Sequence, residues 1–384
     1  MFKRIFLIVL DSVGIGEAKD AKDYDDLNTN TFKHATDGYE ILNNLKDLGF
    51  YNLSYNKRFK TNSYYSKGIE LSNGKDSLTG HLEMMSVITE KPFKVFMNGF
   101  PKELINEIEK ISNRKVIGNC VASGTEIMYD LGEEQLKSGA LIVYTSADSV
   151  LQIAAHEEVI PLDELYDICS KVREITKQEK WKVGRIIARP YLGTNKDNFT
   201  RTPNRHDYAL DPASKTVLDS LKDNNYEVYS VGKINDIFNG CGITKHIKTT
   251  DNFDGINKTI DILKEDFTGL CFTNLNDFDS KYGHRRDKEG YYNALKLFND
   301  KLPDLINYLR YDDLLIITAD HGNDPIHKGT DHTRENIPVI FYSKKFTNNG
   351  KFDDLNGFNT IGATILDNFN LPIINGESVL NKLK

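Results

Sequence analysis

Acids and imidazoles recur directly behind apolar runs in this chain. Asp11 follows the run over 5–10, Asp320-His321 follow the run over 314–318, and Asp277 and Asp279 follow the run over 269–273. His284 comes five residues after Asp279 and His332 eleven after His321, and four of the nine histidines fall between 284 and 332. Together Asp11, Asp279, His284, Asp320, His321 and His332 would hold two divalent cations. Mixed carboxylate and imidazole ligation suits Mn²⁺ or Zn²⁺ better than Ca²⁺. Taken singly, each Asp is as well explained as a turn cap and each His as a surface residue. Six of them behind strands make metal ligation the stronger reading.

A second signal is Asp76-Ser77-Leu78-Thr79-Gly80-His81. A hydroxyl on a tight turn at a helix start can face a metal. Between two cations its pKa falls and it can attack phosphorus. The residues leave Ser77 and Thr79 as rivals, and either could simply cap the helix. His81 either supports a ligand or is a satisfied core histidine. The third signal is basic: Arg189-Pro190, then Thr200-Arg201-Thr202-Pro203-Asn204-Arg205-His206-Asp207. Three arginines so close together can grip phosphate bidentately; the alternative is surface salt bridging.

The elements that must position these residues are short β-branched runs over 5–10, 141–144, 183–188, 227–231, 269–273, 314–318 and 338–342. Near-continuous apolarity suits parallel strands covered on both faces. Helical patterns lie between them, over 101–111, 162–175, 255–267 and 291–309, the last expected to kink or split at Pro303. Alternating strand and helix predicts an α/β fold with a largely parallel sheet, whose sites form at the carboxyl ends of the strands. Loop-like stretches over 90–100 and 191–212 mark an inserted α/β cap domain at 97–213, leaving a discontinuous core of 1–96 and 214–384. No internal repeat is visible.

Length, composition and charge bound the rest. The 384 residues suggest two or three domains, and 39% hydrophobic residues exclude wholesale disorder. With 49 basic and 56 acidic residues the chain is a poor general nucleic-acid binder. Four scattered cysteines form no C-x-x-C, so neither a disulfide framework nor a zinc ribbon is indicated. The apolar run after Lys3-Arg4 is too short for a signal peptide, and no apolar stretch is long enough to span a bilayer. The expectation is a soluble, cytoplasmic protein without membrane contact. A monomer is plausible, although the sequence does not define an oligomeric state.

Taken together, these motifs resemble the phosphopentomutases of the alkaline phosphatase superfamily. The matching segments are Val9-Leu10-Asp11-Ser12-Val13-Gly14-Ile15-Gly16, Thr79-Gly80-His81, Ser146-Ala147-Asp148-Ser149-Val150 and Gly184-Arg185-Ile186-Ile187-Ala188-Arg189-Pro190. They continue with the stretch over 199–209, Gly232-Lys233-Ile234, the stretch over 279–287, Thr318-Ala319-Asp320-His321-Gly322-Asn323-Asp324-Pro325 and the stretch over 329–335. The stretches over 199–209 and 282–287 are particular to that family. The resemblance implies an alkaline-phosphatase-like core with a smaller cap and two Mn²⁺ ions, which interconverts ribose 1-phosphate and ribose 5-phosphate, and the deoxyribose pair. It implies Thr79 as the phosphorylated nucleophile, charged at first by a sugar bisphosphate such as glucose 1,6-bisphosphate. Asp11, Asp320 and His321 would hold one ion and Asp279, His284 and His332 the other. Ser146, Asp148, Arg189, Arg201, Arg205 and Lys233 would form the sugar-phosphate pocket, and His327 is left as a loop residue. The chain departs from the family pattern at Ser77 and Leu78, where Thr is usual, at Leu82, where Trp is usual, and in the altered loop over 17–34. The rival readings are a metal-dependent phosphatase or phosphodiesterase on the same core, another phosphosugar mutase such as the cofactor-independent phosphoglycerate mutases with their serine nucleophile and different insert, and a metal-binding protein without activity.

Overall fold

The computed structural model describes residues 1–146 and 149–384. They divide into two compact units, Met1–Lys91 with Pro212–Lys384, and Pro92–Asp211. The sequence reading puts the borders of its inserted domain at 97 and 213.

Among the described residues the first unit carries a nine-stranded sheet. Its order is Lys245–Ile247, Glu227–Val231, Gly269–Leu275, Arg4–Leu10, Asp313–Thr318, Ile337–Tyr342, Tyr64–Ile69 and Gly350–Lys351, with Leu355–Asn356 also on Tyr64–Ile69. Neighbours run parallel except where Ile337–Tyr342 opposes the strands on either side. Every residue of Arg4–Leu10, Gly269–Leu275 and Asp313–Thr318 is buried, as parallel strands covered on both faces require. Val9 pairs with both Asn274 and Thr318, so these three strands end together. Val231 pairs with Thr273, which brings the turn holding Lys233 to the same edge. The sheet is the α/β, largely parallel one expected.

Helix Lys288–Tyr308 runs unbroken through Pro303. Proline leaves the carbonyl four residues back without its helical donor. Here that carbonyl, on Asn299, accepts instead from Asn44 Nδ2 at 2.8 Å, which is why the expected split does not occur. The second unit carries a six-stranded mixed sheet, Val116–Val121, Leu141–Thr145, Val150–His156, Arg185–Leu192 and Thr200–Arg201 in order, with His206–Ala209 also on Arg185–Leu192. Alternate residues of its strands feed two cores. Leu141 and Val143 join the cluster with Leu104, Ile108, Leu165 and Val172, while Ile142 and Tyr144 join Ile127 and Met128.

The short helix Ser77–Met84 carries the hydroxyls of interest. Asp76 is its N-cap, accepting from Thr79 N at 3.1 Å. Its other end is anchored by Glu83, whose buried carboxylate accepts from the backbone amides of Leu71 at 3.0 Å, Ser72 at 2.6 Å and Phe358 at 2.8 Å. Glu83→Ala leaves three backbone donors without their acceptor, two of them in buried bonds. Since hydrogen bonds to a charged group each contribute roughly 1.5–3 kcal/mol, the loss of folding stability should be on the order of 3 kcal/mol or more. Urea denaturation measures it, and an unchanged midpoint would show that the helix needs no such anchor.

Candidate metal centre

The three central strands deliver three buried carboxylates to one edge of the sheet. Asp11 directly follows the first, Asp320 follows the second within two residues, and Asp279 lies in the helical turn Phe278–Tyr282 behind the third. Asp11 is followed by Ser12 at φ +70°, a left-handed conformation uncommon for serine and of the kind found at functional sites. It is fixed there because Ser12 N donates to Asp320 Oδ1 at 2.9 Å and Ser12 Oγ lies 3.0 Å from Tyr291 Oη.

Asp279, His284 and His332 form one group of possible ligand atoms, and Asp11, Asp279 and His321 another, each within 4.8 Å. Asp279 Oδ2 is 3.2 Å from His284 Nε2, its Oδ1 is 3.3 Å from His332 Nε2, and the two Nε2 atoms are 3.1 Å apart. His284 Nδ1 donates to the Thr330 carbonyl at 2.7 Å, so its Nε2 offers a lone pair. The His321 ring lies 4.2 Å from that of His332. Its Nδ1 donates to Gly322 O at 2.9 Å, turning Nε2 to Asp320 Oδ2 at 3.4 Å and Asp11 Oδ1 at 3.6 Å. Asp320 Oδ2 is buried without a hydrogen bond. His81 Nδ1 stands 3.2 Å away but donates to Ser77 O at 2.8 Å. Lone pairs facing one another across about 3 Å, with a buried carboxylate oxygen left unbonded, fit divalent cations. All six residues named from the sequence therefore gather here.

Electrostatics point the same way. Burial would raise Asp279 and Asp320, but His332 and His284 hold Asp279 well below the carboxylate range, and His321 and His81 bring Asp320 down to about 2. Burial would lower His321, yet the Asp320 carboxylate, then Asp11, raise it well above the usual imidazole value.

The hydroxyl that faces the cluster is Ser77, which corrects the expectation for Thr79. Ser77 Oγ lies 3.0 Å from His321 Nε2 and donates to Asp11 Oδ1 at 3.4 Å. Thr79 is fully buried, and its Oγ1 donates to Asp76 Oδ2 at 2.7 Å. The reason is the cap. Asp76 takes both the backbone N–H and the hydroxyl of the third helical residue, which leaves the first to point outward. Gly80 holds this helix against the site, because a Cβ there would stand 2.1 Å from the Asp320 carbonyl oxygen.

Of the other named residues, Ser146, Arg189, Arg201 and Arg205 belong to the second unit. Ser146, half-buried, directly follows the Leu141–Thr145 strand of the second unit, and Asp148 lies outside the described residues. Arg189 Nε donates to Gln152 Oε1 at 3.0 Å. Burial and then the charge of Arg205 lower it to about 10. Arg201 is exposed, close to Tyr144. Arg205 directs its fork to Asp207, with two bonds of 2.6 Å, so a grip on phosphate must compete with that carboxylate. Lys233 belongs to the first unit, half-buried in the turn behind Glu227–Val231. His327 Nε2 is 3.5 Å from Asp26 Oδ1, apart from the two ligand groups. Sequence reasoning missed Asn274, which donates to Asp11 Oδ2 at 2.9 Å, and Asn323, which donates to Asp279 Oδ1 at 2.7 Å. Their places, at a strand end and two residues behind Asp320-His321, were the available signal.

Two outcomes follow for metal-stripped protein. Asp320→Ala should lose one bound ion while the chain stays folded, checked by metal analysis beside circular dichroism; full loading would mean that the strand-end cluster is structural. The raised His321 holds a proton that an incoming ion must displace. Affinity for Mn²⁺ at that group should therefore climb with pH, by up to about tenfold per unit while His321 remains protonated. Titration from about pH 6 to about pH 8 measures it, and a flat profile would contradict the raised imidazole.

Among solved structures, the chain is similar to the Pyrococcus horikoshii protein PH0037, with 12% identity, 96% of this chain and 98% of that one covered, and a TM-score of 0.47. It is similar to a Leishmania mexicana phosphoglycerate mutase, at 13%, 98% and 96%, with a TM-score of 0.44. It also matches a Vibrio parahaemolyticus protein in the alkaline phosphatase superfamily, at 12%, 99% and 70%, with a TM-score of 0.44. The family model described as "Metalloenzyme superfamily" matches residues 3–373. With nearly its whole length matched by that model, the chain belongs to the metalloenzyme superfamily.

Proposed function

We propose that this protein is a metal-dependent mutase of pentose phosphates. It interconverts ribose 1-phosphate and ribose 5-phosphate, and the deoxyribose pair, through a phosphoserine at Ser77 and a pentose bisphosphate. The observation that carries the phosphoryl-transfer reading is the Ser77 hydroxyl, at the first position of a helix and within reach of both Asp11 and His321. The pentose assignment rests on the family-like stretches over 199–209 and 282–287.

Asp279, His284 and His332 would hold one Mn²⁺ and Asp11, Asp320 and His321 the other; when bound, the two ions neutralise the charge of the transferring phosphoryl group. The chain's own residues do the rest. Ser77 Oγ receives and returns the phosphoryl group. The helix N-terminus beneath it favours that negative charge through its aligned peptide dipoles. Asn274 and Asn323 fix the carboxylates of Asp11 and Asp279. Arg189, Arg201 and Arg205, with Ser146, Asp148 and Lys233, hold the sugar phosphate while the bisphosphate exchanges ends. A sugar bisphosphate such as glucose 1,6-bisphosphate charges Ser77 at the start.

A second reading deserves a test because of Ser77 itself. A serine nucleophile is the feature of the cofactor-independent phosphoglycerate mutases, so the nucleophile does not separate the two families. The Thr202-Pro203-Asn204-Arg205-His206-Asp207 stretch favours the pentose reading.

Incubation with glucose 1,6-bisphosphate and Mn²⁺, followed by fragmentation mass spectrometry, should place phosphate on Ser77. Ser77→Ala should lose at least about a thousandfold in kcat, or roughly 4 kcal/mol of barrier. Thr79→Val should keep activity within about tenfold while losing around 1 kcal/mol of stability with the Asp76 bond. Phosphate on Thr79 would reverse the assignment. A coupled assay from ribose 1-phosphate to ribose 5-phosphate tests the substrate: inorganic phosphate as the main product would make the protein a phosphatase, and turnover of phosphoglycerate alone would favour the second reading.

A further inference from the structure

We infer that Arg286 is the positioning residue of the Asp279, His284 and His332 metal site, an inference that rests on the metal reading above. The three ligands of that site come from two separate irregular stretches. Asp279 and His284 lie in the short helical turns Phe278–Tyr282 and Gly283–Arg285, and His332 lies in the stretch behind Asp320 that has no helix or strand before Ile337. Something other than regular secondary structure must hold them within ligand distance.

One guanidinium reaches all three. Arg286 Nη1 donates to Gly283 O at 3.0 Å, the carbonyl directly before His284. Its Nη2 donates to Asp331 O at 2.7 Å, the carbonyl directly before His332, and its Nε donates to Gly329 O at 2.7 Å. Nη1 also donates to Asn323 Oδ1. The amide of Asn323 then donates from Nδ2 to Asp279 Oδ1 at 2.7 Å. Between Gly329 and Asp331, the Thr330 carbonyl receives His284 Nδ1 and sets that ring. The planar fork of arginine, with five donors at fixed angles, can satisfy acceptors on three segments at once; an ammonium cannot span them.

Two further features fit a clamp. Arg286 adopts φ +53°, a left-handed conformation that a side chain rarely takes without a compensating network. Gly283 lets the turn close on Asn323, since a Cβ at that position would stand 2.7 Å from Asn323 Nδ2. Arg286 carries no lone pair for a cation, so its part is orientation of the ligands rather than ligation.

The test compares wild type, Arg286→Ala and Arg286→Lys, each stripped of metal and then titrated with Mn²⁺ by calorimetry, with bound metal counted by elemental analysis and folding checked by circular dichroism. Wild type should bind two ions. In Arg286→Ala the ion held by His284 and His332 should bind about 10–100-fold more weakly, the usual effect of losing a partner behind a ligand, while the ion held by Asp11, Asp320 and His321, which shares only Asp279 with that group, loses much less. Arg286→Lys should fall between the two, and it decides the question should the alanine variant not fold. A general structural role would weaken both ions equally, and that result overturns the inference. So does wild-type affinity at both sites in either folded variant. Wild type that binds no Mn²⁺ would instead remove the metal reading on which the clamp rests.

Discussion

The structure depends on a concentration of buried negative charge at the end of three parallel strands. Asp11, Asp279 and Asp320 are each at most 4% exposed. Carboxylates so removed from water cost several kcal/mol each unless positive charge meets them. Without metal, histidines meet that need in part, and His321 is pushed toward its protonated form as a result. Three carboxylates against two divalent ions would leave one net positive charge, which on the proposed reading suits an incoming phosphoryl group. The surrounding asparagines, the strained turn at Ser12 and the arginine between the two ligand stretches serve to keep this arrangement from relaxing.

Much of this was legible in the sequence. The central strands announce themselves as unbroken apolar runs because parallel strands are buried on both faces, and the acids behind them mark the sheet edge where sites form. Val116–Val121 was harder to see, as Gly118 and Asn119 interrupt its pattern with positive φ and a shift in register. Tyr64–Ile69 hides behind Ser66, Lys67 and Gly68, whose place in a strand is set by its neighbours and not by their own preferences. Pro303 misled because the residue that satisfies the freed carbonyl, Asn44, lies far away in the chain.

The choice between Ser77 and Thr79 shows where the residues alone run out. Ser77 and Thr79 are both hydroxyls close to a glycine, and resemblance favoured the second. The deciding fact is local physics: with Asp76 as cap, the first residue of the helix faces outward while the third turns back to the cap. Asn274, Asn323 and Arg286 were invisible for another reason. Their function lies in whom they touch, and their partners are distant in sequence or are backbone carbonyls, which carry no residue identity.

Gly80 has a consequence for how the site can move. With the Asp320 carbonyl seated where any side chain would have to stand, helix Ser77–Met84 and the end of the central strand behave as one body. Ser77 therefore keeps its place relative to Asp320 unless that backbone moves with it. On the proposed mutase reading, a bisphosphate that exchanges its two ends could not rely on Ser77 backing away to make room, and the turning would fall to the sugar.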